Sequence, residues 1–206
     1  PFGWEERTVL LRTQDIGPYY DRILKELPAD RQQRIVRFRQ EKNRLLSLGA
    51  GLLIEWERRK NNGILIISPG GKPSYDRGPY FNVTHSGEYV IMSTWDTPIG
   101  IDVEVPRRSP AGINRLLTQE ERAWISCRSD PDRAFFELWT RKESLMKCTG
   151  SGLGAGRLSE IPALWEQGER YQYRDGFYRT KTVVTRRFIF SITVRTEAEE
   201  GIQCFI

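Results

Sequence analysis

The chain has 206 residues, 38% of them hydrophobic and 29% charged, with a formal net charge of +5. That is the make-up of an ordinary soluble globular protein, long enough for one sizeable domain or two small ones sharing an interface, and no stretch is apolar over the length a membrane span needs. Cys127, Cys148 and Cys204 are odd in number and far apart. They exclude a disulfide framework and a zinc-ribbon spacing, and suit a reducing, cytoplasmic setting. The opening Pro1-Phe2-Gly3-Trp4-Glu5-Glu6 lacks the charged-then-apolar layout of a secretory leader. The positive balance suits nucleic acid, an anionic ligand or an acidic protein partner, and by itself does not choose among them.

In chain order, Thr8-Val9-Leu10-Leu11-Arg12 reads as a first strand. Helical patterns follow at 19–27, at 31–38 behind Pro28 and Asp30, and at 41–60, where Leu45, Leu48, Leu52 and Trp56 recur at helical spacing. Asn61-Asn62-Gly63 stops the last of these. A β-rich middle is expected next. It has a buried-type strand at 64–67, a turn-rich loop Ser68-Pro69-Gly70-Gly71-Lys72-Pro73, and strands at 80–83, 89–95 and 99–105. Arg115 to Leu117 lead into Thr118-Gln119-Glu120-Glu121, which has capping-box spacing, and Asp130-Pro131 opens a helix running to Cys148 and ended by Thr149-Gly150. The tail alternates in strand fashion at 171–173, 177–178, 187–194 and 203–205. Strand, helices and strands thus occur twice in succession. The expectation is an α+β protein of two similar halves, 1–96 and 97–206, meeting near Trp95 to Ile99.

Four features carry chemistry. In Gly100-Ile101-Asp102-Val103-Glu104, the two carboxylates share one face of a strand that is otherwise apolar enough to be buried. Adjacent anions in a poorly solvated place call for a cation, and oxygen-only ligands favour Mg²⁺. A solvated strand end is the equal alternative. In Trp139-Thr140-Arg141-Lys142-Glu143-Ser144-Leu145-Met146-Lys147, Glu143 and Lys147 lie four apart on a helix and read either as a surface ion pair or as a carboxylate and an ammonium delivered to a site. His85, the sole histidine, ends a strand within Asn82-Val83-Thr84-His85-Ser86-Gly87, a run of small polar donors suited to phosphate but equally ordinary in a loop. Gly70-Gly71-Lys72-Pro73 offers open amides and a cation. Last comes a basic helix with Arg31, Arg34, Arg37 and Arg39, then Lys42 and Arg44, which is either a solvated face or an anion site.

The order and spacing of these features resemble the Sfp-type phosphopantetheinyl transferases. The resemblance rests on Gly71-Lys72-Pro73, Phe81 to Ser86, Gly100 to Glu104 and Trp139 to Lys147, and spans about residues 30–150. It implies two pseudo-symmetric α+β halves with coenzyme A and Mg²⁺ in the cleft between them. It also implies transfer of 4′-phosphopantetheine to a serine of an apo acyl or peptidyl carrier protein, with release of 3′,5′-ADP. By the same resemblance Asp102, Glu104 and Glu143 match metal ligands, and Lys147 matches the lysine near the transferring phosphate. Lys72, Thr84 and His85 match coenzyme A contacts, and Arg31 and Arg34 match positions near its 3′-phosphate. Glu121 matches a glutamate of the family's short helix-opening segment, and Arg44 lies about one residue out of register. Thr84 stands where the family usually has serine. The length implies the monomeric branch, with neither nucleic acid nor membrane as a partner. The competing readings are another Mg²⁺-dependent phosphoryl or nucleotidyl transferase, and a nucleic-acid-binding module that would leave Glu143 and Lys147 without a role.

Overall fold

The computed structural model describes residues 7–68, 71–110, 116–151, 158–161, 163–164 and 168–197. The expected strand at 203–205, the opening residues 1–6, Pro69, Gly70 and Arg115 lie outside them. The fold is α+β. Strand β1 (Thr8–Arg12) leads into α1 (Thr13–Ile16), a 3₁₀ turn (Gly17–Tyr19), α2 (Tyr20–Glu26), α3 (Ala29–Val36) and the long α4 (Glu41–Asn61). Then come β2 (Leu65–Ile67), β3 (Pro73–Tyr75), β4 (Tyr80–Ser86), β5 (Tyr89–Trp95) and β6 (Ile99–Glu104). Helices α5 (Gln119–Ser126) and α6 (Pro131–Thr149) and strands β7 (Arg170–Tyr173), β8 (Gly176–Val184) and β9 (Ile189–Thr196) complete the described chain.

The strands form antiparallel sheets of order β1-β5-β4, β2-β3 and β6-β9-β8-β7. In the first and third sheets alike, a strand that precedes the helices pairs with the last strand of the hairpin that follows them. These two sheets face each other. Alternation along β6 and β9 sends Ile99, Ile101, Val103, Phe190, Ile192 and Val194 inward, where they pack with Ile91 of β5. Val90 and Met92, the other side of β5, meet Leu46, Ala50 and Leu53 of α4. The opposite side of the third sheet carries α6. The stack is therefore helix, sheet, sheet, helix.

Several expectations change. The apolar face expected on α4 through Trp56 is not the buried one, for Trp56 is exposed. Instead α4 is covered on two sides. Leu46 and Leu53 meet the sheet, and Leu48 meets Ile16, Leu27 and Ile35 of the smaller helices. A helix sandwiched in this way loses its single stripe. The run 64–67, expected to be buried, is exposed throughout, because β2 is an edge strand paired with β3 and, among the described residues, no layer covers it. Strand β3 falls in what reads as loop, and β4 extends through His85 and Ser86. Gly87 permits the tight β4–β5 turn, at φ +62°. A Cβ there would sit 2.5 Å from Val105, so the same glycine lets the end of β4 close on the end of β6.

Candidate active site

Strands β4 and β6 run side by side, yet their backbones do not pair. The side chains of alternate β4 residues take the place of a ladder. Asn82 Oδ1 accepts from the Ile101 N–H at 2.9 Å, Thr84 Oγ1 from Val103 at 3.4 Å, and Ser86 Oγ from Val105 at 3.1 Å. A constant offset of nineteen residues gives the two strands parallel register, and it satisfies buried donors on the edge of β6 that β9 does not reach. The same hydroxyls also turn outward to the carboxylates. Thr84 Oγ1 donates to Asp102 Oδ1 at 3.2 Å, and Ser86 Oγ donates to Glu104 Oε2 at 2.7 Å.

Helix α6 supplies the third wall. Asp130 caps it through the Arg133 N–H, Pro131 starts it, and Gly150 ends it at φ +73°. Gly100 brings it against β6. A Cβ there would stand 2.0 Å from Ser144 O and 2.2 Å from Cys148 N, so only glycine admits this approach. Lys147 then reaches Asp102, with Nζ to Oδ1 at 2.6 Å and a longer contact to Thr84 Oγ1 at 3.3 Å. The alternative of a surface ion pair between Lys147 and Glu143 does not form, since Lys147 pairs with Asp102 instead.

Asp102 is buried. Its Oδ1 is engaged by Lys147 and Thr84, and its Oδ2 is enclosed with no hydrogen-bond partner. Burial pushes this carboxyl up to about 6 despite Lys147. Glu143 is also buried, and among the described residues no hydrogen bond or ion pair reaches its carboxylate. Desolvation first, then Asp102, raises it to about 7. Glu104 is less enclosed and shares Oε2 with Arg107 Nη1 at 2.9 Å. Among the described residues no three His, Cys, Asp or Glu side chains gather closely enough to cage a metal ion unaided. The expected triad of Asp102, Glu104 and Glu143 is nevertheless one electrostatic neighbourhood, since the other two carboxylates both raise Glu143. The orphaned Oδ2 of Asp102 and the open carboxylate of Glu143 fit a hard cation that brings further oxygen ligands of its own.

The residues matched to coenzyme A divide. His85 projects from the other side of β4 relative to Thr84. Its pKa lies below the ordinary histidine value, through lost water around the ring and then the nearby cations Lys147 and Arg31. Arg31, Lys147 and His85 thus surround one electropositive corner. Arg31 lies against Gly51 of α4 and donates through Nη2 to Ser47 O at 3.1 Å, while its Nε is buried without a partner. Arg34 is exposed. Lys72 is engaged differently, its ammonium donating to Ile99 O and to Lys147 O near the C-terminus of α6, where a cation is favourable. Arg44 lines a small cavity with Tyr20, Val36 and Glu41.

Other charged residues of the motif hold the fold. Glu121 completes the capping box with Thr118 and forms a buried ion pair with Lys142 at 2.6 Å. Lys142 also donates to Leu158 O and Ile161 O, tying α5, α6 and the turn after α6 together. Beneath α6 lie two files of hydroxyls. One runs Tyr171–Thr180–Thr193–Ser144 to the Arg141 carbonyl, with 2.7–2.8 Å contacts. The other runs Arg141 Nε–Thr182–Ser191–Thr140 to the Glu137 carbonyl. Sequence reasoning missed Ser86, Asn82 and Lys142. The alternation of polar residues on β4 was the available signal, since two-residue spacing puts Asn82, Thr84 and Ser86 on one side.

Residues 98–187 match the 4′-phosphopantetheinyl transferase superfamily, a segment holding β6, α5 and α6. The chain is 33% identical over 135 residues to the 4′-phosphopantetheinyl transferase gsp of Aneurinibacillus migulanus, covering 60% of this chain and 56% of that protein. It is 35% identical over 104 residues to psf-1 of Bacillus pumilus, covering 48% and 45%. A putative 4′-phosphopantetheinyl transferase of Synechocystis is 29% identical over 170 residues, covering 76% and 68%. The chain therefore spans between about half and two thirds of the length of these relatives.

Proposed function

We propose that this chain, which belongs to the 4′-phosphopantetheinyl transferase superfamily, transfers 4′-phosphopantetheine from coenzyme A to a serine of an apo acyl or peptidyl carrier protein. The observation that carries the reading is the crevice between β4, β6 and α6. There an unpartnered carboxylate, Glu143, and a lysine, Lys147, flank a buried aspartate with one oxygen left open. Transfer requires three things of a protein. It must hold a pyrophosphate, take a proton from the attacking serine, and stabilise charge on the departing phosphate.

The electropositive corner of His85, Arg31 and Lys147 supports binding of the phosphates, with exposed Arg34 extending it. Lys72 enters this reading through a shift of its ammonium from the carbonyls it now caps. Asp102 and Glu143, with Glu104 beside them, would hold Mg²⁺. When bound, that ion supplies neutralisation of charge on the phosphoryl oxygens. Glu143 accepts the proton of the carrier serine, its carboxylate having no hydrogen bond or ion pair among the described residues. Lys147 leaves Asp102 for the departing 3′,5′-ADP, to which it supplies a charge-assisted hydrogen bond. In this reading residues 1–96 hold the coenzyme A phosphates and 97–206 carry the carboxylates. The chain works as a monomer in the cytoplasm, without membrane or nucleic-acid partners. The test is incubation with coenzyme A, Mg²⁺ and a panel of apo-carrier proteins, followed by intact-mass measurement. One carrier should gain the mass of phosphopantetheine, and a panel without any gain would sink the assignment.

A further inference from the structure

Ser86 does two things at once. Its Oγ accepts from the Val105 N–H at 3.1 Å, which fixes the direction of its single proton, and that proton goes to Glu104 Oε2 at 2.7 Å. Thr84 repeats the arrangement two residues earlier, on the Val103 N–H and Asp102 Oδ1. Asn82 makes the third rung on the Ile101 N–H, and its rung reaches no carboxylate. Both carboxylates of β6 are thus oriented by hydroxyls from a strand of a different sheet. Each hydroxyl is aimed by the backbone amide one residue past the carboxylate it serves. Without Ser86, the remaining side-chain partner of Glu104 is Arg107, a largely exposed cation that would draw Oε2 outward.

We propose that Ser86 is a positioning residue that presents Glu104 to the divalent cation of this site. The proposal rests on the reading of Asp102, Glu104 and Glu143 as cation ligands. A carboxylate ligand fixed by an outer hydrogen bond is pre-organised, and loss of such an outer partner typically costs about 10–100-fold in metal affinity. The ladder makes the effect local. Asn82 and Ser86 contribute equally to the joint between the strands, but only Ser86 touches a ligand.

The experiment measures Mn²⁺ affinity of the full chain by electron paramagnetic resonance, with thermal melts alongside. Ser86→Ala should weaken Mn²⁺ binding about tenfold or more, and Ser86→Thr, which keeps the hydroxyl, should restore it. Asn82→Ala should lower the melting temperature yet leave Mn²⁺ affinity within about twofold of the wild type. Should Ser86→Ala fail to fold, Ser86→Cys, nearly isosteric with a weak donor, gives the same reading. Equal affinity in the hydroxyl-free variant and the wild type overturns the proposal, as does an Asn82→Ala loss as large as that of Ser86→Ala. Absence of Mn²⁺ binding by the wild type overturns it too. A wild type that binds Mn²⁺ but modifies no carrier would strike the proposed transfer and leave the role of Ser86 standing.

Discussion

Lys142 and Glu143 are neighbours on α6, both buried and both ionisable, and their surroundings are opposite. Lys142 has a carboxylate and two carbonyls for its ammonium. Glu143 has none of the described groups for its carboxylate, and two further carboxylates raise its pKa. A step of one residue turns a helix by about 100°, so the two look into different compartments. Lys142 looks into the seam with α5, where among the described residues no buried side-chain polar atom is left without a partner. Glu143 looks into the crevice beside Asp102, where its own carboxylate meets no hydrogen bond or ion pair among the described residues. Buried polar groups that serve the fold are paired, and a buried group left open marks the place where something else is to bind.

Substitutions at the two positions should therefore fail in different ways. Lys142→Ala leaves Glu121 buried without its cation and should cost about 3–5 kcal/mol of stability, read by urea unfolding. A cost below about 1 kcal/mol would show that water reaches the seam and that the contrast is false. Glu143→Gln should fold as well as the wild type and lose about 10²–10³-fold in transfer rate, roughly 3–4 kcal/mol. Near-normal turnover in a folded Glu143→Gln would remove that residue from the chemistry.

The hydroxyl files sharpen the contrast from the paired side. Ser144→Ala leaves the Thr193 hydroxyl without its acceptor, and Thr193→Val does the same to Thr180, so each single change should cost about 1–3 kcal/mol. The double variant should cost less than their sum, and strict additivity in the unfolding cycle would show that the two hydroxyls do not depend on each other.

Titration tests the open side. The carboxyl values of Asp102 and Glu143 are raised on folding, from 3.8 to about 6 and from 4.5 to about 7. The folded protein then binds protons more tightly than the unfolded chain, so these groups favour the fold at low pH. That contribution fades as pH rises from about 4 to about 7. Metal-free wild type should lose more melting temperature between pH 5 and pH 8 than Glu143→Gln does, and Mg²⁺ should restore stability more at pH 8 than at pH 5. Parallel pH profiles for the two proteins would mean that Glu143 is not held in a desolvated place. The smallest effect concerns His85, the sole histidine and hence a single resolved proton signal. Its pKa is low partly because Lys147 and Arg31 face it. Binding of 3′,5′-ADP should raise it, since phosphate favours the imidazolium. An unmoved titration curve would place the phosphates elsewhere.

Much of this was legible in the sequence. The Asp102/Glu104 spacing on a strand, the capping box at Thr118 and Glu121, and the α6 motif all follow from local periodicity, and all lie where that periodicity puts them. Their family likeness was readable for the same reason. The fates of Lys142 and Glu143 were not, because both are charged residues on a helix and only the packing of α5 says which one finds a partner. The exposure of Leu65, Ile66 and Ile67 was hidden too, since an apolar run does not reveal whether another layer lies over it. Likewise Asn82, Thr84 and Ser86 alternate plainly, but that they bind the amides of β6 depends on how two sheets meet across nineteen residues of chain.

The hydroxyl files under α6 carry a consequence for how this chain can vary. One file begins at a guanidinium that can only donate, and both end on carbonyls that can only accept, so every hydroxyl between them has a fixed sense. For hydrogen bonding alone serine and threonine are equivalent letters at 140, 144, 180, 182, 191 and 193, and the buried methyl is what separates them. Departure from that two-letter alphabet is not free. A lone valine orphans a neighbour on a different element, whereas two facing positions that turn apolar together can be close to neutral. Positions 144, 180 and 193, which share one file, are thus bound to change together. The signature of this part of the fold is a correlation between columns, where the crevice beside it would leave fixed single letters.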